Sequence, residues 1–160
     1  DAPPARAASM YSCSATFSTE DRAKKYRGRF ASPTAVRVGG GGIPVIRKDG
    51  CLEGVAAVID KDLATCLLAE KLHSDLLIIS TGVPQVSINF GKPNEEKLGT
   101  VKAEKMAQYL AEGHFPPGSM GPKIEAALNF LKNGGKEVII TDPKNLGAAV
   151  TGGQGTHIIK

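Results

Sequence analysis

The sequence predicts an α/β fold built on a largely parallel sheet. Three observations carry that expectation. From residue 58 onward, stretches with helical spacing alternate with short apolar runs, the order produced when helices cross over between parallel strands. Two of the runs, Leu76-Leu77-Ile78-Ile79-Ser80 and Val138-Ile139-Ile140-Thr141, are apolar almost without interruption, as in strands covered on both faces. Capping and breaking residues fall between these segments at the intervals such elements need.

The elements follow in order. Residues 1–35 begin at Asp1, are dominated by Pro, Ala, Ser and Arg, and hold no sustained period. They are expected to be irregular and poorly ordered, with residues 36–160 as the folded portion. Their composition is shared by transit peptides and disordered termini. Val36-Arg37-Val38 reads as a short strand. Gly39-Gly40-Gly41-Gly42 follows, four residues whose backbone N–H groups are open to close approach. A turn at Lys48-Asp49-Gly50 predicts a hairpin returning through Cys51-Leu52-Glu53-Gly54. Asp60 is a suitable N-cap for a helix running through Leu63-Ala64-Thr65-Cys66-Leu67-Leu68-Ala69, expected to pack on a sheet. The Asp75–Ser80 run reads as a central parallel strand. Thr81-Gly82-Val83 would then lie at its carboxyl end, where open α/β sheets bind ligands.

The alternation in Gln85-Val86-Ser87-Ile88-Asn89-Phe90 suggests a further strand. Thr100 is a candidate cap for a helix over about residues 101–112, stopped by Gly113. His114-Phe115-Pro116-Pro117-Gly118-Ser119-Met120-Gly121-Pro122-Lys123 reads as a rigid loop entering a helix, with Pro122 at its first position. Ile124, Ala127, Leu128 and Leu131 form that helix's apolar face. Gly134-Gly135 ends it. Glu137–Thr141 is a second buried strand, Asp142-Pro143 marks another helix start, and Thr156-His157-Ile158-Ile159 is a terminal strand.

Composition narrows the function classes. With 41% hydrophobic and 22% charged residues in 160, the chain is ordinary for a globular domain able to own a core. No apolar run approaches the roughly 20 residues that span a membrane. Cys13, Cys51 and Cys66 are too few and too scattered for a disulfide framework or a zinc site, so a reducing, cytoplasmic setting is expected. The net charge of +4 comes from residues 1–38, with seven Lys/Arg against three Asp/Glu, while the remaining thirteen of each sign cancel. Nucleic-acid binding is not expected, because no aromatic-interleaved basic motif accompanies that charge. His73, His114 and His157 lie far apart, without metal-ligand spacing.

The residues that stand out are two lysines in first helical turns, Lys61 and Lys123. The macrodipole disfavours a cation there by roughly 0.3–1 kcal/mol, unless an anion docks beside it. Asp60 and Asp62 bracket Lys61. Phosphoryl transfer needs cations on the moving charge, carboxylates to hold them, and N–H donors such as the glycine run offers. The alternative is that Asp60 caps, Asp62 favours the dipole and both lysines are solvated. On the residues alone, both readings stand.

Four motifs carry a resemblance to a known family. They are Gly39-Gly40-Gly41-Gly42-Ile43-Pro44-Val45, Val58-Ile59-Asp60-Lys61-Asp62-Leu63-Ala64, Ile88-Asn89-Phe90-Gly91-Lys92-Pro93-Asn94, and Glu112-Gly113 through Lys123. In order and nearly without gaps over about residues 36–159, they resemble the carboxyl-terminal half of the carbamate kinases, in the amino acid kinase family. The resemblance implies a three-layer α/β/α sandwich truncated on its amino-terminal side. It also implies reversible phosphoryl transfer between carbamoyl phosphate with ADP and carbamate with ATP, as in arginine fermentation. Lys123 would contact the transferring phosphoryl group, Lys61 would bind phosphate, Asp62 would orient the lysines and Asp60 would assist. Gly39, Gly40, Gly41 and Gly42 would line the phosphate and carbamate side. Thr81, Gly82, Val83, Asn89, Lys92, Pro117, Gly118, Ser119 and Met120 would surround the nucleotide, whose phosphates would carry Mg2+; no protein-held metal is implied. The family's homodimer interface and substrate glycine loop lie largely in an amino-terminal half that residues 1–35 do not supply, although Glu20-Asp21 through Ser32-Pro33 faintly resembles a family stretch, best at Tyr26-Arg27 and Ser32-Pro33. An inactive nucleotide-binding piece, or a partner of a longer kinase, is therefore the alternative, and an exposed apolar sheet edge is expected.

Overall fold

The computed structural model describes residues 44–160. Segment 1–35, the expected strand at Val36–Val38 and the run Gly39–Gly42 lie outside the described residues. The first element is a hairpin of β1 (Val45–Lys48) and β2 (Cys51–Gly54). Asp49 and Gly50 both take positive φ, at 48° and 84°, the turn geometry whose twist matches paired strands. Helix α1 (Lys61–Lys71) follows. Asp60 caps it as expected, its Oδ1 accepting from the backbone N–H groups of Asp62 and Leu63 at 2.9 Å each. At its other end His73 sits in the left-handed region at φ 51°, where glycine is the usual occupant.

Next come β3 (Leu76–Ser80), β4 (Ser87–Ile88), β5 (Glu96–Lys97), β6 (Thr100–Lys102), α2 (Ala103–Ala111), α3 (Met120–Lys132), β7 (Glu137–Thr141), α4 (Leu146–Val150) and β8 (Thr156–Ile159). The main sheet has the order β3-β7-β8-β6. β3 with β7 and β6 with β8 are parallel, and β7 with β8 is antiparallel. Strand alternation sends Leu77, Ile79, Val138, Ile140 and Ile158 to one face, where they join Ile124, Ala127, Phe130 and Leu131 of α3 in the main core. Ile139 faces the other way, onto Ala149 and Val150 of α4. The sheet thus lies between helices on both sides, the α/β class that the sequence predicts in the three layers that the family resemblance implies. Each fully buried aliphatic side chain contributes roughly 1.5–3 kcal/mol.

Several elements depart from expectation for identifiable reasons. β3 is parallel but not central: among the described residues it ends the sheet order, and Leu76 and Ile78 are only half-buried. Helix α1 packs chiefly along α3, leaving Leu63 and Leu67 each 42% exposed on its outer side. Thr100 caps nothing. It pairs with His157 in the β6–β8 ladder, and α2 starts at Ala103 without a side-chain cap. The Gln85–Phe90 strand shrinks to Ser87–Ile88, because Asn89 turns the chain at φ 53°. Helix α3 begins two residues before Pro122. Gly121 is needed there, since its N–H donates to the Pro116 carbonyl at 2.9 Å and a Cβ would come within 3.1 Å of that oxygen. Asp142 closes a turn onto Asn145, and α4 starts only at Leu146.

Candidate functional site

Helices α1 and α3 lie side by side and run the same way. Near their amino ends Lys123 donates to Asp62, and near their carboxyl ends Asn133 Nδ2 donates to Glu70 Oε1 at 2.8 Å. Each helix leads into a strand of the parallel pair β3–β7 and runs antiparallel to it. Their amino termini therefore lie beyond the carboxyl ends of those strands, the end at which open α/β sheets take ligands.

Asp62 is the centre of that end. It is 4% exposed on the second position of α1. Its Oδ2 accepts from Lys123 Nζ at 2.5 Å, 61 residues away in sequence, and from Lys61 Nζ at 3.4 Å. The two lysines differ in setting: the Lys123 side chain is 12% exposed and that of Lys61 50%. Burial works against the Lys61 ammonium, but the Asp62 carboxylate, with Lys123 and Asp60 contributing less, holds its pKa above the ordinary lysine value. Lys61 therefore presents a charged head to solvent while Lys123 is clamped. Two ammoniums on one carboxylate beside two helix amino termini form an arrangement able to hold and neutralise a phosphate-type anion.

The other expected site residues fall into three groups. Thr81, Gly82 and Val83 sit directly after β3, where the Thr81 N–H donates to the Thr141 carbonyl at 2.9 Å. Gly82 is exposed, with open space where a Cβ would point. Pro117, Gly118, Ser119 and Met120 form the entry to α3, three residues and fewer from Lys123's own turn. Asn89 and Lys92 lie in a separate turn held by its own bonds: the Lys92 N–H donates to the Asn89 carbonyl at 3.0 Å, and the Gly91 N–H to Glu95 Oε2 at 3.0 Å. Gly39 to Gly42 lie outside the described residues. A cleft of about 410 Å³ along β6 and α2, lined by Leu98, Lys102, Lys105 and Tyr109, contains none of the expected residues. Among the described residues, no group of three or more His, Cys, Asp or Glu is placed to hold a metal ion, and no helix is long and apolar enough to cross a membrane.

Sequence reading missed two residues at this end, Thr141 and Thr156, both 0% exposed. The Thr141 hydroxyl donates to the Pro84 carbonyl at 3.1 Å. Thr156 Oγ1 accepts from the Val86 N–H at 2.9 Å and donates to the Leu98 carbonyl at 2.5 Å. Their signal is faint: each is a polar residue bounding an apolar strand.

Comparison with known proteins agrees with this architecture. The amino acid kinase family model matches residues 6–142, and the chain belongs to that family. The carbamate kinase-like protein YahI of Escherichia coli K12 is 51% identical over 161 residues, an alignment covering 88% of this chain and 51% of that protein. The carbamate kinase of Thermoplasma volcanium is 50% identical over 122 residues, covering 76% and 40%. The structure of Giardia lamblia carbamate kinase bound to AMP-PNP superposes with a TM-score of 0.74 at 48% identity, covering 76% of this chain and 43% of that one. The chain thus spans about half, or somewhat less, of the length of these relatives. N-acetylglutamate synthase of Neisseria gonorrhoeae, with a TM-score of 0.54 at 20% identity, shares the fold alone.

Proposed function

We propose that this chain is the nucleotide-side portion of a carbamate kinase, transferring a phosphoryl group between carbamoyl phosphate with ADP and carbamate with ATP. The observation that carries this reading is the buried Asp62 carboxylate bridging Lys61 and Lys123. The relatives named carbamate kinase, and one of them holding AMP-PNP, support it.

In the ATP-forming direction, a terminal phosphate oxygen of ADP attacks the phosphorus of carbamoyl phosphate. The bond from phosphorus to the carbamate oxygen breaks, and carbamate leaves. The protein's work is positioning and charge neutralisation, with no covalent intermediate. Lys123 meets the transferring group, Lys61 holds phosphate, and Asp62 fixes the separation of the two ammoniums. Asp60 keeps the α1 amino terminus intact, so that its remaining N–H groups face the anion. Thr81 to Val83, Asn89, Lys92 and Pro117 to Met120 border the nucleotide. Asp60 and Asp62 each spend a carboxylate oxygen on capping or on lysine. That donor set fits Mg2+ arriving on the nucleotide phosphates, where it supplies further charge neutralisation. ATP generation from arginine breakdown in the cytoplasm, and a homodimeric assembly, are the physiological setting of this reading.

The test is ATP formation from carbamoyl phosphate and Mg·ADP, with Lys123→Ala alongside. Turnover that the substitution lowers by about 100-fold or more is expected. A folded wild-type chain that forms no ATP sinks the enzyme reading for this chain.

A further inference from the structure

Two buried hydroxyls hold the segment between β3 and β4 at the carboxyl end of the sheet. The segment leaves β3, crosses the end of β7 and reaches the start of β8. Over β7 it meets Thr141 twice: the Thr141 carbonyl accepts from the Thr81 N–H at 2.9 Å, and its Oγ1 donates to the Pro84 carbonyl at 3.1 Å. Because β8 is antiparallel to β7, Thr156 lies opposite Ile140, at the same end. There the bonds close a ring. The Val86 N–H donates to Thr156 Oγ1, Thr156 Oγ1 donates to the Leu98 carbonyl, and the Leu98 N–H donates to the Val86 carbonyl at 2.8 Å. A hydroxyl has one proton, and each threonine spends it on a backbone carbonyl. The Gly155 carbonyl accepts from Gln85 Nε2 at 3.4 Å. Between these anchors Gly82 alone is exposed.

We propose that Thr141 and Thr156 are positioning residues that fix the backbone of residues 81–86 for binding the nucleoside part of the nucleotide. The proposal rests on the kinase reading above, and it assigns the two ends of the nucleotide to different supports. The phosphates depend on the Lys61–Asp62–Lys123 cluster. The nucleoside depends on a segment shaped by Thr141 and Thr156. A buried donor or acceptor left without its partner is costly, so removing either hydroxyl loosens the segment at the sheet end, although the Thr81–Thr141 and Leu98–Val86 backbone bonds remain.

The test measures binding of ADP and of inorganic tripolyphosphate to the wild-type chain, Thr156→Val, Thr156→Ser and Thr141→Val. Valine keeps the shape and removes the hydroxyl. Thr156→Val is expected to bind ADP about tenfold more weakly or worse, to bind tripolyphosphate as the wild type does, and to exchange the amides of residues 81–86 faster than those of α1 and α3. Thr156→Ser restores ADP affinity. Thr141→Val, which removes one bond instead of two, gives the same pattern to a smaller degree and stands in should Thr156→Val not fold. Unchanged ADP affinity in both valine variants overturns the proposal. So does equal loss of ADP and tripolyphosphate, which marks a purely structural role. A wild-type chain that binds neither ligand overturns the kinase reading and the proposal with it. One that binds tripolyphosphate but not ADP overturns the nucleoside assignment alone.

Discussion

Replacing Asp62 by Asn tests the arrangement at the helix ends most sharply. The Asp62 side chain is 5% exposed and its Lys123 partner 12%, with 2.5 Å between Nζ and Oδ2. Asparagine keeps the volume and an acceptor oxygen but removes the charge, leaving the Lys123 ammonium buried without a counter-ion. Breaking a buried pair from one side costs about 3–5 kcal/mol. The retained amide oxygen places the expectation at the lower end, about 3 kcal/mol. Lys61 adds little to that figure, since it lies 3.4 Å away with a half-exposed side chain, a setting worth about 0–1 kcal/mol. For a domain of this size the loss corresponds to roughly 10 °C in melting temperature. Urea unfolding of the wild type, Asp62→Asn, Lys123→Met and the double variant completes the cycle. A coupling energy of about 2 kcal/mol is expected, because removing both charges leaves neither unpaired. Additivity to within about 0.5 kcal/mol, or a loss for Asp62→Asn no larger than for Lys61→Met, would refute the reasoning.

Other consequences follow from single positions. His73 holds the left-handed C-terminal position of α1 at φ 51°, so His73→Gly is expected to stabilise by about 0.5–1 kcal/mol in the same unfolding assay. Gly155 lies at φ +119°, and a Cβ there would stand 2.9 Å from that of Ala149. Gly155→Ala should therefore lower stability by about 1–3 kcal/mol. Burial, with the Glu70 carboxylate beside it, pushes the Cys66 thiol up to about 12 from 9.0. The unfolded chain then loses that proton first, so this thiol makes stability fall as pH rises from 9.0 towards 12, by at most about 1.4 kcal/mol per pH unit, and Cys66→Ala removes that contribution, most visibly between 9.0 and 10.5. Lys61 acts in the same direction: its raised pKa gives stability that is full below 10.5 and lost as pH climbs through the folded value. At neutral pH, iodoacetamide should label exposed Cys51 well ahead of buried Cys66, as peptide mapping would read.

Much of this architecture was legible because it is written locally. Asp60 before Lys61, the Asp49-Gly50 turn and the apolar runs at residues 76–80 and 137–141 specify their elements through short-range physics, and all four form. Legibility failed where distant partners decide. Thr100 has the chemistry of a cap, yet β8 recruits it as a strand across 57 residues, since a ladder bond outranks a local cap. Val86 looks like a strand residue, but its N–H goes to Thr156 Oγ1. The apolar strand at 76–80 reads as central, yet among the described residues it ends the sheet order, a matter of topology that its own composition does not encode. Within the site, motif spacing could nominate Lys61, Asp62 and Lys123 separately. That a single oxygen of Asp62 serves both lysines is a fact of helix packing.

Binding of AMP-PNP with Mg2+, set beside binding of adenosine, to the wild-type chain and to Lys123→Ala is the most direct test of whether phosphates dock on this lysine cluster. The expected result is an affinity for AMP-PNP at least about tenfold weaker in the variant, with adenosine affinity unchanged. Equal AMP-PNP affinity in the two proteins would contradict the assignment of Lys123 to the phosphates and remove the basis for the proposed phosphoryl transfer.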